Sequence, residues 1–378
     1  MIQNRKIWLA VALVITGCGG SDSGGSSGGG DSTTPGIPYD HISIEQSYEM
    51  MIDSDYYCGG AQSKWRTEHF IVGHADSDSV SDQKLKDIIG SAQVQFEEHM
   101  QNYGWDAYLD LGVDYTNPLE ICVKTSEGSG GAGDKEGFII GTGRSGSNLD
   151  TLIDHEMQHT YQNIFVGDTG LGSVHVWYAE AHASRLTSNK QASESEMNTF
   201  ISQTGMNPTQ VTHEGHQLTV TQSLSDGSIE YKTYNSVFTY LFNNGVSSND
   251  IWEVFRRMGE IEESCRIQAI AAREETKNYN EPYVVGISAD TSSRISACSG
   301  YPKPTKSDSD NWVSGEFGAE TYWNGKLVRS GIDDHVTPND EPGQTKFEIA
   351  FNEVMAPYGI DYDSIATDFR NTVMSNIY

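Results

Sequence analysis

Apolar and polar positions follow two rhythms along the chain. Short apolar runs bounded by glycine or polar residues occur at residues 69–73, 119–123 and 137–141, and these predict three buried strands. At residues 81–100 the apolar side chains Leu85, Ile88, Ile89 and Val94 recur at helical spacing behind an acidic start, which predicts an amphipathic helix. Helical patterns follow at residues 148–164, 174–188, 234–242 and 249–258, and again at the end, 347–373. The glycine-rich stretch at 128–133 predicts a turn leading into the third strand. Residues 38–62 show neither rhythm, and residues 260–345 are irregular and rich in Ser, Asp, Pro and Gly. Strands come first and helices later, without internal repeats, so the expected class is α+β.

The start of the chain has a different pattern. Arg5 and Lys6 precede a nine-residue apolar run from Ile7 to Ile15, far below the roughly 18–20 residues that span a bilayer. A positive start, a short apolar stretch and small residues predict a secretory signal over residues 1–17. Ile15-Thr16-Gly17-Cys18 resembles a bacterial lipoprotein lipobox. The resemblance implies that Cys18 becomes the lipidated first residue of the mature chain. Gly19 follows the cysteine where an aspartate would favour inner-membrane retention, so the implied location is the cell envelope, at the outer membrane. Gly and Ser dominate residues 18–37, which predicts a flexible tether with a reach of roughly 25 Å. Residues 38–378 then form the folded domain, with 260–345 as an insertion.

Charge narrows the function. The chain has 53 acidic residues against 24 Lys and Arg, a formal charge of −29, and loss of Arg5 and Lys6 makes the mature chain more acidic still. Such a surface opposes nucleic-acid binding, which needs cations to displace counterions. With Cys18 assigned to lipid, four cysteines remain. In an exported chain they predict two disulfides with three connectivities, of which proximity favours Cys58–Cys122 and Cys265–Cys298.

Residues 155–159 read His155-Glu156-Met157-Gln158-His159, the HExxH pattern, of which about 0.02 copies arise by chance in a chain with 11 histidines. On a helix, positions i and i+4 share a face, so the two imidazoles can grip one metal ion. Glu156, beside the first ligand, is placed to act as a general base. A metzincin would need glycine at 162 and histidine at 165, where this chain has Gln162 and Phe165. The next acidic residue on a helical pattern is Glu180, in Trp177-Tyr178-Ala179-Glu180-Ala181-His182-Ala183, and it completes a two-histidine, one-carboxylate set. His175 and His182 are its rivals, and Ser184, one turn later, is a candidate for orienting a ligand.

With these residues the chain resembles the gluzincin metallopeptidases, the superfamily of thermolysin and the zinc aminopeptidases. Residues 177–183 look like the Trp-x-x-Glu-Gly-x-Ala helix that carries their third ligand, with Ala181 replacing the glycine. The order of elements ahead of HExxH is similar, and the segments at 231–241 and 351–360 resemble their later helices. The resemblance covers about residues 65–260 and 345–375 and implies a zincin-like fold. It further implies Zn²⁺ on His155, His159 and Glu180, Glu156 as base, and a polypeptide substrate. By the same resemblance Tyr231, then Tyr234, is the donor to the developing oxyanion, with His213 and His216 as outer candidates. The Gly-x-Met-x-Asn stretch of the aminopeptidases is absent, which favours endopeptidase action. The alternative expectation is a surface-tethered binding protein or adhesin whose metalloprotease-like fold is catalytically idle. Two other motifs fail: Asp76, Asp78 and Asp82 lack the rest of an EF-hand loop, and residues 141–146 lack the Gly-Lys-Ser/Thr of a phosphate loop.

Overall fold

The computed structural model describes residues 36–51, 58, 61–75, 78–128, 130–167, 171, 174–185, 190–211, 223–224, 228–261, 322–323, 326–327 and 346–378. The signal, Cys18, the tether up to residue 35, His213, His216, Asp76, Cys265 and Cys298 lie outside them.

The architecture is α+β. The elements run β1 (Glu45–Gln46), β2 (Trp65–Arg66), β3 (Phe70–His74), α1 (Asp82–Tyr103), α2 (Ala107–Leu111), β4 (Leu119–Lys124), β5 (Gly131–Gly133) and β6 (Gly137–Gly141). Helices follow: α3 (Ser147–Val166), α4 (Val176–Arg185), α5 (Glu194–Thr204), α6 (Ser228–Asn243), α7 (residues 248–261), α8 (Lys346–Met355) and α9 (Tyr362–Thr367). The sheet order is β1-β2-β3-β4-β6-β5. Strands β3, β4 and β6 are parallel neighbours, while β1, β2 and β5 pair antiparallel.

Register explains why the three central strands read as unbroken apolar runs. Successive side chains point to opposite faces. Val72 pairs with Ile121, which pairs with Phe138, and these, with Phe70, Val123 and Ile140, lie in the main core with Leu85, Ile88, Ile89 and Phe96 of α1. The alternate set, Ile71, Cys122 and Ile139, faces away and packs with Met51, Cys58 and Ala61. Both faces are covered, as parallel strands require. Met51, Cys58 and Ala61, from a stretch without rhythm in the sequence, supply that second cover, and the expected Cys58–Cys122 disulfide ties it to β4 across 64 residues of chain, with Cα atoms 5.6 Å apart.

Helix α1 has the expected start and a clear stop. Ser81 caps it, its Oγ accepting from the Lys84 N–H at 3.2 Å, and Gly104 ends it at φ 69°, a left-handed turn that costs glycine little. At the first described residues, the Tyr39 hydroxyl donates to Asp87 of α1 at 2.7 Å, and Asp150 of α3 accepts from Ser91 at 2.7 Å and from the Gly36 and Ile37 backbone. Helix α3 is buried on nearly all sides: Leu149, Leu152, Ile153, Met157 and Tyr161 are at most 1% exposed. Trp177 and Tyr178 anchor α4 to α6 and α8, their rings meeting Phe238, Phe347 and Phe351 edge-on or tilted with centroids 5.2–6.2 Å apart.

Two elements differ from expectation. The glycine-rich segment read as a turn contains strand β5, paired with β6 through Gly131↔Ile140, Ala132↔Ile139 and Gly133↔Phe138. A strand of glycine and alanine has no apolar alternation to reveal it. Helix α5 was also unmarked, though Ser193 and Glu196 form a reciprocal capping box at its start.

Replacing both Cys58 and Cys122 by alanine is expected to lower unfolding free energy by about 2–4 kcal/mol, the usual range for closing a long loop. Urea denaturation measures it, and an unchanged midpoint would show that the outer layer holds without its staple.

Candidate metal centre

The HExxH segment is helical throughout, inside α3. His155 and His159 therefore project from one face, and Glu180 of α4 meets them. Nε2 of His159 lies 3.1 Å from Nε2 of His155, and the Glu180 carboxylate reaches His155 Nε2 at 3.4 Å and His159 Nε2 at 3.5 Å. All three residues are buried, at 5%, 3% and 3% exposure. Their ligand atoms form one group within 4.8 Å, a set that could hold a metal ion. Donors bound tetrahedrally at about 2.0–2.2 Å would sit about 3.3–3.6 Å apart, close to the spacing found.

The protonation chemistry supports a cation here. The Gln162 amide donates through Nε2 to the Ala179 carbonyl at 3.1 Å, which fixes which end is nitrogen. Its Oε1 then lies 2.9 Å from Nδ1 of His159 and must accept from it. His159 carries its proton on Nδ1, so a neutral ring presents the Nε2 lone pair to the centre. The His159 lone pair and the Glu180 carboxylate thus converge with His155 Nε2 away from water. One proton can bridge two of them, whereas a cation satisfies all three. Oε2 of Glu180 has no hydrogen-bond partner although buried. Burial alone would push the Glu180 carboxyl up, but His159 and His155 outweigh it and hold the group well below the usual carboxylate range.

Glu156 lies beside this group, on the side of the sheet. A Cβ on Gly131 would come within 2.7 Å of its Cγ and 2.9 Å of its carboxyl carbon, so the side chain lies against edge strand β5. A Cβ on Gly133 would meet the Glu156 carbonyl oxygen at 2.5 Å and His159 Cβ at 3.0 Å. Glycine at both positions lets the strand lie directly on the HExxH helix. Burial pushes the Glu156 carboxyl up; His155 and His159 partly offset this, the negative Glu180 adds to it, and Arg144 opposes it weakly.

The other expected residues fall into place around this group. The His175 ring stacks on Phe347 at 4.7 Å and meets the Tyr362 hydroxyl at 2.7 Å, outside the ligand group. His182 points off the ligand face; its Nδ1 accepts from Gln162 at 3.0 Å and its ring packs on Trp252 at 4.2 Å. Ser184 is buried on α4, and the Gln162 side chain contacts His159 Nδ1. Tyr234 is buried and its hydroxyl donates to Glu230 at 2.7 Å, so its one proton is engaged there rather than offered to the centre. Burial, then the charges of Glu230 and Glu180, push that phenol well above its usual range. Tyr231 is half-buried on the same helix, its ring 6.3 Å from that of Tyr234.

Sequence reading missed three contributors: Gln162 as a partner of His159, β5 as the strand beside Glu156, and buried Glu230. The first carried a signal, because residues 159 and 162 are neighbours on a helix surface. Comparison of the chain with protein-family models, with curated proteins and with solved structures finds no match.

Glu180→Ala is expected to lose stoichiometric metal binding while keeping its circular dichroism spectrum, and His175→Ala to retain the metal. Elemental analysis of dialysed protein decides it; a full equivalent in the Glu180 variant would remove that residue from the ligand set.

Proposed function

We propose that the protein is an exported zinc metallopeptidase with a zincin-like fold, related in design to the gluzincins and acting on polypeptides, with endopeptidase action favoured. The observation that carries this reading is the convergence of His155, His159 and Glu180 with a separate buried carboxylate, Glu156, held against an open sheet edge. Two imidazoles and one carboxylate suit zinc with a coordination position left for chemistry. Iron(II) accepts the same donors, but the additional base beside the first histidine is what hydrolysis requires.

Zinc, when bound, supplies a Lewis acid that polarises a carbonyl and acidifies water. The chain's residues would do the rest. Among the described residues strand β5 has a paired neighbour on one side only. A substrate peptide in extended form can add to that edge through main-chain hydrogen bonds, as other strand-recognising proteins bind theirs. Its scissile carbonyl is thereby brought beside Glu156. Glu156 takes a proton from the attacking water and returns it to the leaving nitrogen, a role suited to a carboxyl whose affinity for protons burial has raised. Because Glu230 holds the Tyr234 proton, Tyr231 is the side chain we assign as donor to the oxygen that gains charge.

The proposed setting follows from the ends of the sequence. Lipid on Cys18 and the glycine-serine tether would hold the domain at the cell envelope, at the outer membrane. Among the described residues no helix is long and apolar enough to cross a membrane. The acidic surface fits no nucleic-acid partner.

Glu156→Gln is expected to keep one zinc and to lose about 10²–10⁴-fold in the rate of casein hydrolysis. Chelator should abolish wild-type cleavage, and added zinc should restore it. Zinc-loaded wild type that leaves casein and shorter peptides intact would favour the idle binding module instead.

A further inference from the structure

We propose that Gln162 is the positioning residue of this centre, holding His159 in the metal-binding tautomer and locking the register between the two helices that carry the ligands. The inference rests on reading His155, His159 and Glu180 as a metal site.

The side-chain amide of Gln162 makes three contacts, each reaching a different part of the site. Oε1 accepts from His159 Nδ1 at 2.9 Å on its own helix, α3. Nε2 donates to the Ala179 carbonyl at 3.1 Å and to His182 Nδ1 at 3.0 Å, both on α4. Ala179 immediately precedes Glu180, and His182 lies two residues beyond it. One planar group therefore spans from the second histidine ligand to the backbone beside the carboxylate ligand. Gln162 is fully buried, so water does not substitute for these partners.

The amide suits this position for a reason of donor count. The site needs one acceptor, for His159 N–H, and donors for two acceptors, the Ala179 carbonyl and His182 Nδ1. A primary amide offers one acceptor oxygen and two N–H donors in one plane. A carboxylate would place an oxygen against the Ala179 carbonyl, and an aliphatic side chain would remove all three hydrogen bonds at once. The network is also braced from outside. The His182 ring packs against Trp252, whose own ring lies 4.8 Å from Trp105 and 5.6 Å from Tyr103. Rotation of the Gln162 amide would have to disturb that aromatic cluster.

The experiment uses the full chain. In metal-free wild type, two-bond ¹H–¹⁵N correlation of the imidazoles should show His159 protonated at Nδ1, and a dominant Nε2–H form would overturn the proposal without any variant. Zinc affinity is then measured by competition with a chromophoric chelator for wild type, Gln162→Leu and Gln162→Glu. Both variants should bind zinc about 10–100-fold more weakly, the range for losing a partner that orients a ligand. Gln162→Leu should also let His159 populate both tautomers. Affinity within twofold of wild type in a folded Gln162→Leu protein would overturn the positioning role. Wild type that binds no metal would overturn the metal-centre reading first, and this proposal with it.

Discussion

A carboxylate buried against two imidazole nitrogens is the constraint on which this structure turns. Removing a charged carboxyl from water costs several kcal/mol unless a partner compensates. Here the partners are imidazoles rather than ammonium or guanidinium groups, and one of them, His159, has its ring proton committed on the far side to Gln162. Such a cluster is poorly satisfied by protein groups alone. A divalent cation at its centre would supply the missing charge, so the energetics of the fold and the chemistry of the site point the same way.

Much of the architecture serves to bring Glu180 to that point. Helix α4 is short, and helix propensity alone would hold it poorly. Trp177 and Tyr178, directly before the ligand, fix it instead: both are fully buried among aromatic rings of α6 and α8, and the Tyr178 hydroxyl donates to the Ile251 carbonyl at 3.0 Å. The C-terminal helices are thus part of the site's foundation although none supplies a ligand. Beside the histidines of α3 the sheet edge comes close enough to touch Glu156, because Gly131 and Gly133 present no side chain. Glu156 and the two histidines lie side by side on one stretch of α3, with β5 against the first and Glu180 of α4 against the second.

This division has a functional consequence. Glu180 is kept ionised by its histidines, whereas burial raises the affinity of Glu156 for a proton. Two carboxyls in one small volume are driven apart in acidity by their neighbours, the usual sign of distinct chemical tasks. A ligand must stay charged to hold a cation. A base must be able to take up a proton and release it.

The sequence by itself determined what depends on local spacing. The periodicities placed β3, β4, β6, α1 and α3, since burial of alternating or helically spaced side chains is written residue by residue. Four-residue spacing put His155 and His159 on one face because helix geometry leaves no other choice. Glu180 was legible as the third ligand only through its neighbours, and His175 and His182 stayed open beside it. Tertiary structure brings Glu180, rather than either of those two, to the histidine pair, because which residue of α4 reaches α3 depends on aromatic packing from helices far along the chain. It also decided what has no pattern to read: a strand of glycine and alanine defined by its pairing with β6, the hydroxyl of Tyr234 directed to Glu230, and an amide at 162 whose meaning comes from the partners that surround it. These are contacts between distant segments, and no one-dimensional rhythm records them.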